Sequence, residues 1–292
     1  MKPSILITGA SSSLMNAFID IIDFGKYDVC AITRNPQSIS NPNIHVLEGD
    51  ICDRNFTRTA LKNVYAVFHA AAVTHAFNKQ DYDNVNVKGT RNLIDAALLN
   101  EVERFIFVSS RTAGVHNGAY GLSKFLGERY LQNNFSNWII FRPAEIYGGA
   151  KDEGIDKLIH DILNKNFLLC PAQVKNKLYP VFMIDVAKIM YDIVFKKKYQ
   201  NKIITINGRE GYSYIELAKH ICQILSKKRP ILPVPEIIMR LVGWIIKLTH
   251  VEMELIPDQI PRLYCKKDTQ DLDYELVDIK SYLIKEFSGE PM

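Results

Sequence analysis

Tyr120 and Lys124 stand four residues apart in the run Tyr120-Gly121-Leu122-Ser123-Lys124, and Ser109-Ser110 close an apolar stretch just before them. On a helix this spacing puts a phenol and an ammonium on one face. A nearby ammonium stabilises a phenolate and draws a tyrosine toward working pH. Such a tyrosine can exchange a proton with an alcohol or sugar oxygen while hydride moves to or from a nicotinamide, and a serine at a strand end can hydrogen-bond the same oxygen. Tyr147 and Lys151 are also four apart, but they straddle Gly148-Gly149, and no serine-ended strand leads into them. Position therefore selects Tyr120 with Lys124, and a serine of the Ser109-Ser110 pair, as the candidate catalytic set.

A second constellation lies at the N-terminus, where Thr8-Gly9-Ala10-Ser11-Ser12-Ser13-Leu14 joins a strand-like run to a helical pattern. Gly9 permits a tight turn, and the serines offer hydroxyls and backbone N–H groups at a helix start, as an anion site or as plain caps. The residue after the second strand is Arg34, where binders of NAD usually carry an acid for the ribose 2′-hydroxyl. An arginine fork suits a 2′-phosphate, which favours NADP with NAD as the alternative. An exposed turn arginine is the simpler reading of the same residue.

The elements that would position these groups alternate in the first half of the chain. Strand-length apolar runs at 4–8, 29–33, 44–47, 64–70, 105–109 and 138–142 are separated by helical patterns at 14–24, 82–100 and 118–133. Such a pattern predicts an α/β fold, a doubly wound parallel sheet of Rossmann type. Further on, a loop at 148–154 precedes a helix at 155–166, strands at 181–183 and 203–207 flank a helix at 185–195, and the chain after 213 reads as mostly helical. The expected organisation is a nucleotide-binding domain over 1–150, rejoined by the strands and helix of about 178–207. A smaller, mostly helical substrate-binding portion would occupy the rest of 151–292.

Composition narrows the partners. The 292 residues carry a net charge of +4 with short, scattered basic runs, which argues against nucleic acid. Five dispersed cysteines without a C-x-x-C read as buried thiols in a reducing compartment, with no metal site. No signal peptide is read at the N-terminus, and the hydrophobic stretch 231–249 is broken by prolines and charges, so no integral membrane segment is expected and the protein reads as cytoplasmic. Residues 235–248 form an amphipathic helical pattern, read as a helix packed on its own domain, with a membrane surface or a pocket as the alternative contacts. Glycine is scarce, 15 residues against a usual ~7%.

Taken in order, Thr8-Gly9, Glu48-Gly49-Asp50-Ile51, His69-Ala70-Ala71-Ala72, the run from Asn84 to Thr90, Phe107-Val108-Ser109-Ser110, Tyr120 to Lys124, the run from Phe141 to Gly148, and Asp185-Val186-Ala187 resemble the extended short-chain dehydrogenase/reductases, the NAD(P)-dependent epimerase/dehydratase group. The resemblance spans essentially the whole chain. It implies that Tyr120 is the acid/base, that Lys124 orients the nicotinamide ribose and depresses the tyrosine pKa, and that Ser110 polarises the reacting oxygen. The cofactor would be held by Thr8, Gly9, Ser11, Ser12, Ser13 and Leu14, by Arg34, by Asp50 and Ile51 at the adenine, by Ala70, Ala71 and Ala72, and by Lys124, Pro143 and Ile146. It further implies a nucleotide-linked sugar as substrate and a homodimer as the assembly.

The chain also departs from that pattern. Ser12 and Met15 stand where the family usually has glycines, only nine residues separate Ser110 from Tyr120, and Arg111-Thr112 replace the Asp-Glu pair of sugar dehydratases. Dehydration is therefore disfavoured. A reductase of a nucleotide-sugar keto group, a nucleotide-sugar 4-epimerase with tightly bound NAD, and a catalytically weak binding or assembly protein remain open. His116 and Glu145 could also face substrate; a loop histidine, and for Glu145 a pairing with Arg142 or a backbone donor, are the simpler readings. Lys177 and Arg262 are candidates to hold a diphosphate.

Overall fold

In a computed structural model, the described residues are 2–149, 153–172, 174, 176–197, 199–249 and 257–288. Lys151 of the second tyrosine–lysine pair lies outside them. The chain runs β1 (Ser4–Thr8), α1 (Ser13–Ile19), β2 (Asp28–Thr33), β3 (Ile44–Glu48), α2 (Arg54–Ala60), β4 (Ala66–His69), α3 (Lys79–Asp81), a π-helical stretch (Tyr82–Gly89), α4 (Thr90–Leu99) and β5 (Arg104–Val108). It continues with α5 (Gly118–Asn134), β6 (Trp138–Pro143), β7 (Ile146–Tyr147), α6 (Gly154–Asn164), β8 (Leu168–Pro171), β9 (Val181–Phe182), α7 (Met183–Tyr191) and β10 (Lys202–Ile206). The last elements are α8 (Tyr214–Ile224), β11 (Ile231–Val234), α9 (Glu236–Thr249), α10 (Gln259–Tyr264) and α11 (Ile279–Ser288).

Seven of the strands form one parallel sheet in the order β10-β6-β5-β4-β1-β2-β3. Alternation along the central strands divides their side chains between two apolar layers, as a period of two requires. Ile5 and Ile7 of β1, Phe68 of β4 and Ile106 of β5 join one layer with Phe18 of α1 and Val186 of α7. Leu6, Val67, Phe105 and Phe107 point the other way, against Leu93 of α4 and Leu131 of α5. Both faces of the sheet are thus covered by helices, which is why these strands read as continuous apolar runs. A third cluster joins Ile155 and Ile159 of α6 to Leu217 and Ile221 of α8 and Leu283 of α11.

The second half departs from its sequence reading. β8 and β11 pair in parallel, Leu168 opposite Ile231 and Leu169 opposite Leu232, two short strands unforeseen in a region read as helical. β11 carries Pro233, and only a four-residue run with exposed members marks it. The helix expected from Pro235 is present as α9 and packs on the domain through one side only, with Met239 and Ile246 buried and Gly243 close to Ile260, while its other apolar side is exposed. Ile237 is 77% exposed, Leu241 56%, Trp244 61% and Leu248 65%. Cys52 is likewise exposed rather than buried. No described helix is long and apolar enough to cross a membrane.

Candidate functional site

The strand order reverses between β1 and β4, and at such a switch point the connections diverge and leave a crevice beyond the carboxyl ends of the strands. A cleft of about 250 Å³ lies there, lined by Gly9, Ser11 and Ser12 after β1, Arg34 after β2, Asp50 and Ile51 after β3, and Ala70, Ala71 and Ala72 after β4. A larger open hollow of about 770 Å³, between Tyr179, Asn207 and the segment 269–276, holds none of the expected site residues.

Gly9 turns the chain at φ +71°, and a Cβ there would fall 2.6 Å from the Ala71 nitrogen and 2.8 Å from the Ala70 carbonyl carbon. Glycine is required on both counts. Ser12 is the N-cap of α1: its Oγ accepts the Met15 N–H at 3.3 Å. Met15 is fully buried in the apolar layer that contains Ile5, Ile7 and Phe18, so the helix and sheet are spaced by a thioether where a glycine would let them touch.

Several residues expected at the cofactor do not line this cleft. The Thr8 hydroxyl is buried between His69 Nδ1 (2.7 Å) and the Ala71 N–H (3.2 Å), where it ties β1 to β4. Ser13 abuts Gly149, and Leu14 packs on the core. Pro143 ends β6, with its carbonyl accepting from the Arg111 N–H, and Ile146 pairs with Val181 in a two-stranded sheet.

Tyr120 and Lys124 lie one turn apart on α5, beside the end of β5. Ser110 follows β5 and its hydroxyl contacts Thr112 Oγ1 at 2.9 Å. Burial pushes the Tyr120 phenol above its ordinary value; the Arg262 charge and hydrogen bonding to Ser110 act against that rise, and Glu153 adds to it. Lys124 is buried beneath the tyrosine's turn, where its Nζ donates to the Val108 carbonyl at 2.8 Å and lies over the Phe107 ring. Burial brings this ammonium down to about 8, against the pull of Glu128. The sequence assigned the depression of the tyrosine pKa to Lys124. In the structure the cation on the phenol ring is Arg262, whose guanidinium lies 4.3 Å from the ring centroid and donates to the Thr74 carbonyl at 2.8 Å.

A buried polar frame holds this corner. Glu128, one turn beyond Lys124, accepts from Ser109 Oγ and from Nε of Arg142 at 2.8 Å, with a second bond from Nη2. Arg142 is thus the partner of Glu128. Glu145 pairs instead with Arg111 (3.1 Å) and Lys267 (2.9 Å) and accepts from the Tyr179 N–H. Burial works to raise the Glu145 carboxyl, but Lys267 and Arg111 hold it below its ordinary value, so it stays ionised. His69 spans Thr8 and Thr90, and burial, reinforced by Lys124, keeps it neutral. His116 is exposed in its loop, and Lys177 is exposed as well.

Two links escaped the sequence reading. Asn86, in the π-helical stretch, accepts the Val73 N–H at 2.8 Å and donates to the Val73 carbonyl and to Ser123 Oγ, which in turn donates to the Tyr120 carbonyl. Val73 lines the cleft, so Asn86 joins the cleft wall to α5. π-Helical geometry is rare and is frequent at functional sites. The second link is Asp258, whose carboxylate accepts the Ala119 and Tyr120 N–H groups at the start of α5. Gly118 has φ +81°, and a Cβ there would meet that carboxylate at 2.8 Å. Asp258 caps α5 from 139 residues away, and no local pattern announces it.

Known proteins fit this geometry. A sequence model of the 3-beta hydroxysteroid dehydrogenase/isomerase family matches residues 11–122, from the first turn to just past Tyr120. The dTDP-D-glucose 4,6-dehydratase of Homo sapiens is 29% identical over 240 residues, 71% of this chain and 67% of that protein. The mitochondrial NADH dehydrogenase [ubiquinone] 1 alpha subcomplex subunit 9 of Rattus norvegicus is 25% identical over 75% of the chain and 58% of its own length. The chain thus spans about two thirds or less of these relatives. Among solved structures, the UDP-glucuronic acid 4-epimerase of Bacillus cereus, in complex with UDP-glucuronic acid and NAD, superposes with TM-score 0.69 at 20% identity, over 80% of this chain and 86% of that one. The UDP-glucose 4-epimerase of Thermotoga maritima gives 0.66 at 19%, over 79% and 85%. With the sheet order, the switch-point cleft and these likenesses in agreement, the chain has the fold and the sequence relatives of an extended short-chain dehydrogenase/reductase.

Proposed function

We propose that this chain reduces a keto group on a nucleotide-linked sugar, with NADP as its cofactor, in the cytoplasm. One observation carries the reading: the cleft at the β1–β4 switch point is joined through Val73, Asn86 and Ser123 to the turn of α5 that bears Tyr120. The cleft walls suit a dinucleotide, because the Gly9 turn leaves room for close backbone approach that any Cβ would fill. Ser11 and Ser12 would face the diphosphate, Asp50 and Ile51 the adenine, and Arg34, exposed at the rim, the 2′-phosphate. Ala70, Ala71 and Ala72 would line the path toward α5, where Lys124 would hold the nicotinamide ribose.

The nicotinamide, when bound, supplies hydride. The protein's share is proton transfer and polarisation. Tyr120, with its pKa raised by burial, is protonated at neutral pH and can give its phenolic proton to the sugar keto oxygen as charge develops there. Ser110 would donate a hydrogen bond to the same oxygen, and Arg262 across the ring would stabilise the phenolate left behind. Glu145, held ionised by Arg111 and Lys267, has no proton to give, and Arg111 is buried in that pair. That arrangement supports reduction over elimination of water, despite the likeness to a sugar dehydratase.

A second reading, a nucleotide-sugar 4-epimerase, is favoured by the epimerases among the structural neighbours, whose structures hold NAD. The same tyrosine would then take a proton from the sugar and return it. Purified protein decides between them. Turnover of a keto nucleotide sugar that depends on added NADPH supports the reductase. NAD retained through purification, with interconversion of sugar epimers and no net cofactor use, supports the epimerase and sinks the first reading.

A further inference from the structure

The two apolar layers and the third cluster leave α9 unaccounted for. Its inner side packs on α10: Gly243 lies so close that a Cβ would meet Ile260 Cδ1 at 2.9 Å, and Ile246 is buried. Its outer side carries Ile237, Ile238, Leu241, Trp244, Ile245 and Leu248, between 45% and 77% exposed. Positions 237, 241, 244, 245 and 248 recur at helical spacing and make one continuous stripe. β11 leads into α9 through Pro235 and adds exposed Leu232, whose register partner Leu169 is also exposed. Monomeric proteins rarely leave an apolar surface of more than a few hundred Å² uncovered, and larger ones mark contact sites.

We propose that this face docks on an anionic lipid surface, with α9 lying in the plane of the interface. Charge decides the occupant. α9 and the segment 227–235 that leads into it hold Lys227, Lys228, Arg229, Arg240 and Lys247 against Glu236, with Arg229 bound to the Ile162 and Leu163 carbonyls and Glu252 and Glu254 following the helix in sequence. Glu236 is already paired with Arg240 at 2.7 Å, and Lys227 and Lys228 are exposed. A second copy of the chain meeting this face would bring the two basic segments together, at a cost in like-charge repulsion that an anionic bilayer turns into attraction. The geometry agrees: the 14 residues of α9 are too short to span a bilayer, which needs ~20, and suit interfacial burial with Trp244 at headgroup depth. Because α9 rests on α10, and α10 carries Arg262 over Tyr120, the docked face lies one helix away from the candidate catalytic tyrosine.

The chain has two tryptophans, and Trp138 in β6 can be changed to Phe so that Trp244 reports alone. The full-length Trp138→Phe protein is mixed with vesicles of phosphatidylcholine alone or with about a third phosphatidylserine. Flotation with the anionic vesicles, a blue shift of emission, weakening by salt, and at least a tenfold loss of binding in Leu241→Glu with an unchanged thermal melt are expected. Three outcomes overturn the proposal: no flotation or shift with either vesicle, flotation undiminished by Leu241→Glu, or a dimer in light scattering that Leu241→Glu converts to monomer.

Discussion

The corner around α5 and the turn between β1 and α1 are built in opposite ways. The first is pinned by buried and half-buried polar groups: Glu128 holds Ser109 and Arg142, Asn86 holds Val73 and Ser123, and Asp258 caps the helix start. The second has one indispensable residue, Gly9, followed by exposed Ser11 and Ser12, and its only side-chain contact with the backbone is the Ser12 cap. Buried polar groups that are fully satisfied fix geometry, and each is costly to lose. An exposed serine turn fixes little. The contrast teaches that the corner around α5 is held rigidly, whereas the turn after β1, in its proposed role, would meet phosphates with a looser grip than a triple-glycine turn would give.

The contrast can be attacked from both sides. The largest effect expected is on turnover: Tyr120→Phe should lower it by about 10²–10⁴-fold while dinucleotide affinity stays as it was. Normal turnover by that variant would remove the tyrosine from the mechanism. Next comes stability, since Glu128→Ala strands the half-buried Arg142 and should cost about 3–5 kcal/mol in a denaturant melt. A loss within experimental error would mean the frame holds nothing. Arg34→Asp should exchange a charge-assisted contact worth about 1.5–3 kcal/mol for repulsion, moving preference from NADP to NAD by tenfold or more. An unchanged preference ratio would detach Arg34 from the 2′-phosphate.

Smaller effects sharpen the picture. Arg262 draws the Tyr120 phenol downward, so its removal in Arg262→Met lets the phenol rise further. In the reducing direction the protonated phenol is the active form, so the alkaline fall in rate should move to higher pH. A profile that stays in place would assign Arg262 a purely structural part. Smallest of all, Ser12→Gly should tighten dinucleotide binding while costing only a few tenths of a kcal/mol in helix capping. Weaker binding would show that the Ser12 side chain holds the phosphates rather than crowding them.

The sequence reading located the main sheet because each of its strands is a short apolar run between helical patterns, and buried parallel strands must look that way. Tyr120 and Lys124 were legible for a similar reason: their spacing is local and only a helix makes it meaningful. What stayed hidden was non-local or depended on exposure. Asp258 and Arg262 reach α5 from more than 130 residues away, and the partner of Glu145 could not be told from its neighbour Arg142. Thr8 and Pro143 end strands, where the Thr8 hydroxyl meets His69 and the Pro143 carbonyl accepts from the Arg111 N–H, and a motif does not distinguish such roles from contact with a ligand. For α9, the periodicity announced an amphipathic helix, but only the structure tells that its apolar side faces outward.

Calorimetric titration of the purified protein with NADP and NAD tests the central claim most directly, because every proposed role of the α5 corner needs a dinucleotide in the adjoining cleft. The account predicts saturable binding of both, tighter for NADP, and abolished in Gly9→Ala, where a Cβ would sit 2.6 Å from the Ala71 nitrogen. Absence of binding to either dinucleotide would contradict it and leave a fold that keeps the catalytic corner without the chemistry.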